Sequence, residues 1–329
     1  MTALAPGLQA FFSDRLIGQR AASPNTIAAY RHSLRLLLTF AQDHLGTPPS
    51  RLDIAQLDAP LIATFLDHLE HDRHNTIATR NSRLAAIHSL FGYLALQHPE
   101  HAASIQRVLA IPHKRTTRSP VTYLTEPEVD ALLAAPDTTT WIGRRDHTML
   151  ALTIQTGLRI SELIALACQD ITLTTGAHVH TIGKGRKHRH TPLTPTTKAL
   201  LKAWLRERAA DPKAPLFPTR TGTRLSRDAV ESRLAKHLAT AQTNCPSMTA
   251  KTITMHTLRH TAAMRLLLAG NDITVIALWL GHEQITTTQI YLHADMTHKQ
   301  QAIDRTRPLT TKPGRYQPTD ALLAFLQAL

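Results

Sequence analysis

The sequence predicts a mainly α-helical protein of two domains with one small β-sheet or hairpin. Apolar residues recur at three- and four-residue steps along most of the chain, one segment alternates about a glycine-containing turn, and a basic stretch with two prolines divides the chain. The chain has 329 residues, of which 43% are hydrophobic and 19% charged. This composition is typical of folded globular domains and excludes a wholly disordered basic protein.

The first domain, residues 1–111, is predicted to be all helical. A polar start at Ser23-Pro24-Asn25 precedes apolar residues spaced from Ile27 to Ala41, and similar patterns run over Leu61–Leu69 and Leu84–Leu94. Four arginines fall outside the apolar stripes and either face phosphates or are ordinary solvated side chains. They are Arg31, Arg35, Arg80 and Arg83.

Residues 112–121 have the composition of a linker, and a second domain is predicted over residues 122–304. It begins with a capped helix at Thr125, and a helical pattern over Thr148–Leu166 is interrupted at Gly157. His178–Leu193 alternates about a basic tip, which predicts a β-hairpin. Further helices are predicted at Thr197–Arg208, Arg227–Gln242, His256–Ala269 and Asp272–Leu280. The tail, residues 305–329, ends in a short apolar helix that docks either on its own domain or on a neighbouring subunit.

The distribution of charge points to a polyanionic partner. The formal net charge is +13, and residues 1–110, with nine Arg and eight acidic residues, contribute only +1 of it. Residues 111–329 therefore hold +12, which suits a polyanion such as DNA, while charge alone leaves an ordinary solvated basic surface equally open. No run of 18 apolar residues and no secretory signal is apparent, so we expect a cytoplasmic, nucleoid-associated protein.

The side chains that can carry chemistry fall in the second domain. Thr156-Gly-Leu-Arg-Ile-Ser-Glu-Leu places Arg159 and Glu162 three residues apart on one helix face, an arrangement that suits a phosphate clamp but is also common in surface ion pairs. His256-Thr-Leu-Arg-His, Leu280-Gly-His282, Tyr291 and Lys184 at the hairpin tip complete a set of two Arg, one Lys, two His and one Tyr. This set can stabilise a pentavalent phosphorane and supply a nucleophile and an acid, so no cofactor is expected.

A metal site offers an alternative interpretation of the hairpin. Its strands carry His178, His180, His188 and His190, but neither Cys nor an acidic residue accompanies them within the strands, so a face turned towards DNA is favoured over zinc. The two cysteines, Cys168 and Cys245, cannot form a disulfide scaffold or a Cys-rich zinc site.

Taken together, these motifs resemble the tyrosine recombinase, or phage integrase, family, which includes the Xer-type recombinases and Cre. Thr156-Gly-Leu-Arg-Ile-Ser-Glu-Leu, Gly183-Lys-Gly, His256-Thr-Leu-Arg-His, Leu280-Gly-His and Tyr291 occur in the family's order. The resemblance implies a helical core-binding (SAM-like) domain followed by an α+β catalytic domain. The sequence departs from many Xer-like members after His260, where it has Thr261-Ala-Ala-Met-Arg265 and they have an aromatic residue and then a Thr-His pair.

The resemblance also implies a role for each residue. Tyr291 attacks the scissile phosphate and forms a 3′-phosphotyrosyl bond, Arg159 and Arg259 clamp the non-bridging oxygens, and Lys184 protonates the departing 5′ oxygen. His256 assists proton transfer at the tyrosine, His282 donates a hydrogen bond to the phosphate, and Glu162 supports the site. Arg186 and Lys187 are expected to contact DNA from the hairpin tip.

The family resemblance predicts that the enzyme acts on duplex DNA with inverted-repeat half-sites. It assembles on DNA as a homotetramer or together with a related recombinase. Two other functions stay open at this point: a non-catalytic DNA-binding accessory protein of the same fold, and a nicking-closing enzyme of the type IB topoisomerase kind.

Overall fold

The computed structural model describes residues 2–116, 121–183 and 187–294. The chain divides into two compact units, Met1–Arg118 and Ser119–Leu329. Lys184, Arg186 and the predicted tail over residues 305–329 lie outside the described residues. Within the described ranges, no helix has both the length and the apolar character needed to cross a bilayer.

The first unit is all helical, as the apolar periodicity predicts. Ser23 caps the second helix by accepting a hydrogen bond from the Thr26 backbone N–H at 3.2 Å, and Pro24 occupies the first turn, where its missing N–H costs nothing. Its helices are α1 (Leu4–Ala10), which continues into a π-helical segment (Phe11–Gln19), α2 (Pro24–Leu45), α3 (Ala59–His71), α4 (Ile77–Gln97) and α5 (Ala102–Leu109). The predicted helices correspond to α2, α3 and α4, whereas α1 and α5 are short segments that the periodicity did not reveal.

The second unit combines helices with a three-stranded antiparallel sheet. Strands β2 and β3 form the predicted hairpin, with His180 opposite His190, and β1 adds a short third strand beside β2. Its helices and strands are α6 (Glu126–Ala134), α7 (Trp141–Thr156), α8 (Ile160–Ala165), β1 (Ile171–Thr172), β2 (His178–Ile182), β3 (His188–Pro192), α9 (Pro195–Arg208), α10 (Arg227–Asn244), α11 (Met255–Leu268), α12 (Ile273–Leu280) and α13 (Ile290–Ala294).

Helix α7 is the centre of the second unit and is buried along most of its length. A buried polar network fixes it to α10: the Asp146 carboxylate accepts hydrogen bonds from the Arg145 guanidinium at 2.7 Å and lies 2.9 Å from the His237 ring nitrogen. Buried charges are tolerated where they are paired and hydrogen-bonded in this way. The network therefore specifies how α10 packs on α7.

Two glycines end the helices that build the site. Gly157 follows α7 and Gly281 follows α12, each with φ of 65°, a left-handed conformation that favours glycine. A Cβ atom at Gly157 would lie 2.5 Å from Cδ2 of Leu280. A side chain at residue 157 would therefore require the Leu280 side chain to move.

Candidate active site

Three arginines converge on the carboxyl end of α12. The last carbonyl groups of a helix have no partner within the helix and form the negative end of its dipole. Here three successive carbonyl oxygens each accept a hydrogen bond from a different guanidinium. Arg189 donates to Trp279 at 3.0 Å, Arg259 to Leu280 at 2.6 Å and Arg159 to Gly281 at 3.2 Å. We call Arg159, Arg189 and Arg259 the arginine cluster.

Glu162 holds two members of the cluster together. Its Oε1 accepts from the Arg159 guanidinium at 2.7 Å and its Oε2 accepts from Arg189 at 2.9 Å. The same Oε2 accepts from the Arg159 backbone N–H at 2.9 Å, which caps the start of α8. With only 4% of its side chain exposed, Glu162 is a buried brace.

The cluster keeps an excess of positive charge. Its three guanidiniums are accompanied by one carboxylate, that of Glu162, which pairs with Arg159 and Arg189. Arg259, 2% exposed, is hydrogen-bonded to carbonyl oxygens only, those of Leu280 and Gly157. Burial, together with the nearby charge of Arg159, lowers the pKa of Arg259 to about 10, so it stays protonated at neutral pH. The uncompensated positive charge of the arginine cluster favours binding of an anion.

Two cavities flank Arg159. One, of about 290 Å³, is bordered by Gly183, Arg189, Gly281 and His282. The other, of about 260 Å³, is bordered by Arg227, His256 and Arg259. Of the residues predicted from the sequence, Arg159, His256, Arg259 and His282 therefore line two cavities that share the Arg159 guanidinium.

His282 follows the end of α12 and faces the first cavity. Its Nδ1 lies 2.7 Å from the hydroxyl oxygen of the fully buried Thr288. Burial and the charges of Arg259, Arg159 and Arg189 lower the pKa of His282 to about 4, so the ring is neutral at pH 7. When Thr288 donates to Nδ1, the remaining ring proton is on Nε2, which can donate to a phosphate.

Tyr291 lies on α13 and is only 1% exposed. It packs beside apolar residues of α11 and α12, including Met264, Ile276 and Leu280. Its hydroxyl oxygen lies 2.9 Å from Nδ1 of His260 on α11. Burial raises the pKa of Tyr291 to about 12 against the opposing effect of Arg259, so the phenol is protonated at neutral pH.

The structure places His256 differently from its sequence-based role. His256 is exposed in the first turn of α11, and the hydrogen-bonding partner of the Tyr291 hydroxyl is His260, one turn further along the same face. The His256 and His260 rings meet edge to face, with their centroids 4.3 Å apart. His256 is thus next to the residue that contacts the nucleophile.

The four histidines of the hairpin share one face of the sheet. The His180 ring is stacked on those of His188 and His190 at centroid distances of 5.1 and 4.9 Å. No group of three or more His, Cys, Asp or Glu residues with metal-binding geometry occurs in the described part of the chain. Lys187, exposed at the hairpin tip, lies 3.8 Å from Glu283 across the first cavity.

The four arginines singled out in the first unit have different environments. Arg31 and Arg35 are exposed on α2, and Arg83 on α4 is partly buried. Arg80, by contrast, is 5% exposed, lies 3.3 Å from Glu70 and donates to the Pro112 carbonyl oxygen. Because it is occupied in fixing residue 112 to α4, the expectation that Arg80 faces phosphate does not fit its position.

Arg83 belongs to a cluster of basic residues that the sequence did not reveal. Burial and the charge of Arg73 lower the pKa of Arg83, and burial together with Arg83, Arg35 and Arg73 lowers the pKa of His32. Nη1 of Arg83 is buried without a hydrogen-bonding partner. We call His32, Arg35, Arg73 and Arg83 the N-terminal cationic cluster.

Sequence analysis missed Arg189, His260 and Arg73. Signals existed for the first two: Arg189 alternates with the outward-facing His188 and His190 and so belongs to the inner face of β3, and His260 is four residues beyond His256. Arg73 follows the end of α3, where no periodicity indicates direction.

Comparisons with known proteins agree with this fold. The phage integrase family matches residues 122–298, and the phage integrase N-terminal SAM-like domain matches residues 9–98. The chain therefore belongs to the phage integrase family and is a tyrosine-type site-specific recombinase.

Individual relatives cover nearly the whole chain. The integrase/recombinase y4rC of Sinorhizobium fredii is 53% identical over 99% of this chain and 98% of its own length. The tyrosine recombinase XerC of Xanthomonas campestris is 33% identical over 88% of this chain and 85% of its own.

Two solved structures share the fold. The XerH recombinase in a post-cleavage complex has a TM-score of 0.68 at 23% identity and covers 87% of this chain and 81% of its own. The Tn1549 transposon integrase, in complex with circular intermediate DNA, has a TM-score of 0.70 at 17% identity and covers 93% and 100%.

Proposed function

We propose that this chain cuts and rejoins duplex DNA at defined sites through a 3′-phosphotyrosyl intermediate on Tyr291. One observation carries the proposal. Arg259 is held at the end of α12 by its hydrogen bond to Leu280, and its charge acts on Tyr291, so positive charge suited to a phosphate lies next to the candidate nucleophile. A neutral phenol beside fixed positive charge suits attack on a phosphodiester.

The residues divide the reaction among them. The Tyr291 oxygen forms a bond to phosphorus as the bond from phosphorus to the 5′ oxygen breaks. Arg159 and Arg259 offset the negative charge that grows on the non-bridging oxygens, and His282 adds a hydrogen bond. Lys184 protonates the leaving 5′ oxygen, and rejoining reverses these steps with a 5′ hydroxyl as the attacking group.

Binding to DNA involves both units in this proposal. Residues 1–111 form the core-binding domain, 112–121 the linker, 122–304 the catalytic domain and 305–329 the tail. In the first, the N-terminal cationic cluster takes up a backbone phosphate, since four basic side chains approach one another there and Nη1 of Arg83 lacks a partner. Arg31 also contacts the backbone, and Arg186 and Lys187 do so from the hairpin.

The assembly is inferred from relatives. The XerH recombinase has been solved on a palindromic substrate, and a λ integrase fragment has been solved as a dimer on a core site. We infer that this chain binds inverted-repeat half-sites on nucleoid DNA in the cytoplasm and completes exchange as a homotetramer or with a related recombinase.

Capture of the covalent intermediate tests the proposal. The full chain is incubated with randomly sheared genomic DNA, denatured with detergent, and the DNA that stays attached to protein is sequenced. We expect attachment through Tyr291 at recurring sites, and none for Tyr291→Phe although DNA binding is kept. Binding without any adduct would favour an accessory protein, and relaxation of supercoiled DNA at undefined sites would favour a topoisomerase.

A further inference from the structure

We propose that His260 is a catalytic residue that accepts the Tyr291 proton during attack. This inference rests on the proposed role of Tyr291 as nucleophile. It assigns to His260 the step that the sequence motif had assigned to His256.

Geometry selects His260. Its Nδ1 lies 2.9 Å from the Tyr291 hydroxyl oxygen, a distance at which a proton can pass directly. The two rings meet edge to face, with their centroids 5.5 Å apart. Since α11 also carries Arg259, the proton acceptor and the phosphate clamp are fixed on one helix.

The protonation state before DNA binds suits an acceptor. Burial and the charges of His256 and Arg259 lower the pKa of His260 to about 4, so the imidazole is neutral at pH 7. The Tyr291 phenol keeps its proton and donates a hydrogen bond to Nδ1 of the neutral His260 ring, whose own proton is on Nε2. Arrival of a phosphate would bring negative charge to Arg259 and thereby increase the basicity of His260.

The step balances without any further reactant. As the Tyr291 oxygen bonds to phosphorus, its proton moves to Nδ1 and His260 becomes an imidazolium. The electrons of the broken phosphorus–oxygen bond leave with the 5′ oxygen, which takes a proton from Lys184. Rejoining returns the proton from His260 to the Tyr291 oxygen as it departs, so His260 ends the cycle neutral.

In this proposal, His256 supports His260 by packing against its ring. Its ring is 4.3 Å from that of His260, centroid to centroid, and it is exposed. A ring in that position covers one side of His260 and limits the access of water to it.

The test compares two replacements of His260 on a duplex carrying the site mapped by adduct capture. His260→Asn places an amide where Nδ1 stood, so it can keep a hydrogen bond to Tyr291 but cannot take up a proton. His260→Ala removes the ring and leaves space for free imidazole. Single-turnover adduct formation is measured between pH 5.5 and 8.5, and melting curves establish that each variant is folded. His147→Asn, a half-buried histidine on α7, is the matched control.

We expect His260→Asn and His260→Ala to form adduct about 10²- to 10⁴-fold more slowly than the parent, the range typical of a lost proton acceptor. Added imidazole should restore part of the rate to His260→Ala, in proportion to its unprotonated fraction, and should not affect His147→Asn. A parental rate in folded His260→Asn would overturn the proposal, because it would show that the hydrogen bond alone suffices. Adduct formation by Tyr291→Phe would instead overturn the proposed nucleophile.

If His260→Ala does not fold, the comparison of His260→Asn with the parent decides alone. Under that condition, loss of adduct with an unchanged melting temperature supports the proposal. Retention of the parental rate rejects it.

Discussion

The two units carry arginine clusters of opposite construction. In the catalytic unit, Arg159, Arg189 and Arg259 are each bonded to a carbonyl oxygen at the end of α12, and Glu162 joins two of them. In the first unit, Arg35, Arg73 and Arg83 lie near His32, and burial together with the neighbouring positive charges lowers the pKa of His32 and of Arg83. A braced cluster holds its geometry before the ligand arrives, whereas an unbraced one is stabilised by the ligand. The arginine cluster of the catalytic unit therefore suits catalysis, and the N-terminal cationic cluster suits binding of the DNA backbone.

A braced arginine cluster still lacks a proton donor, because guanidinium does not release its proton at physiological pH. The largest expected effect therefore comes from Lys184→Ala, which should slow adduct formation on ordinary DNA by about 10²- to 10⁴-fold. A 5′-bridging phosphorothioate should restore cleavage, since sulfur leaves without a proton. Lys202→Ala, exposed on α9, is the control. Rescue of Arg159→Ala but not of Lys184→Ala by the sulfur substrate would place the acid elsewhere.

Loss of the Glu162 carboxylate should leave the arginine cluster without the group that joins Arg159 to Arg189, as in the N-terminal cationic cluster. Glu162→Gln keeps the shape but takes away the charge shared by Arg159 and Arg189, and breaking a buried pair costs about 3–5 kcal/mol. We expect a lower melting temperature and adduct formation reduced by about 10²-fold. Glu207→Gln breaks a two-point pair with Arg144 that is partly exposed, so it should cost under about 1 kcal/mol. Equal effects of the two changes would show that Glu162 is not a brace.

The first unit offers a smaller and different effect. Arg83→Gln should weaken binding to any duplex several-fold and reduce the slope of log K against log salt by about 0.9, the value of one phosphate contact. Arg80→Gln should lower stability by breaking its pair with Glu70 and leave the salt slope unchanged. The reverse pattern would mean that Arg80, despite its burial, is the phosphate ligand.

The sequence predicts features that depend on local patterns and does not predict contacts between distant residues. Helix α2 and the β2–β3 hairpin have strong local periodicity, and the residues of the catalytic set stand in recognisable motifs. Arg80 and Arg83 were indistinguishable, since both lie off the apolar stripe of α4, and only packing shows that Glu70 and Pro112 occupy one of them. His260 stood within a motif, but its contact with Tyr291 joins residues 31 positions apart. Local patterns cannot specify such contacts.

The smallest expected effect is on the free energy of unfolding at acidic pH. Both His260 and His282 have a pKa of about 4 in the folded chain against an ordinary value of 6.5, so below pH 6.5 the unfolded chain binds protons that the folded chain does not. Stability should therefore fall as pH drops from 6.5 to 4 and level off below. Each ring contributes a slope of at most about 1.4 kcal/mol per pH unit, and less because both are partly exposed.

His282→Asn isolates one of these two contributions, since the amide can still accept a hydrogen bond from Thr288 but does not titrate. Urea unfolding at intervals from pH 4 to 8 should give the variant a shallower pH dependence than the parent. Above pH 7.5 both rings are neutral in either state, so the difference between variant and parent should be constant there. Parallel curves over the whole range would show that His282 takes up its proton as readily in the folded chain as in the unfolded one, and that the positive field of the catalytic cluster is weaker than the fixed arginines imply.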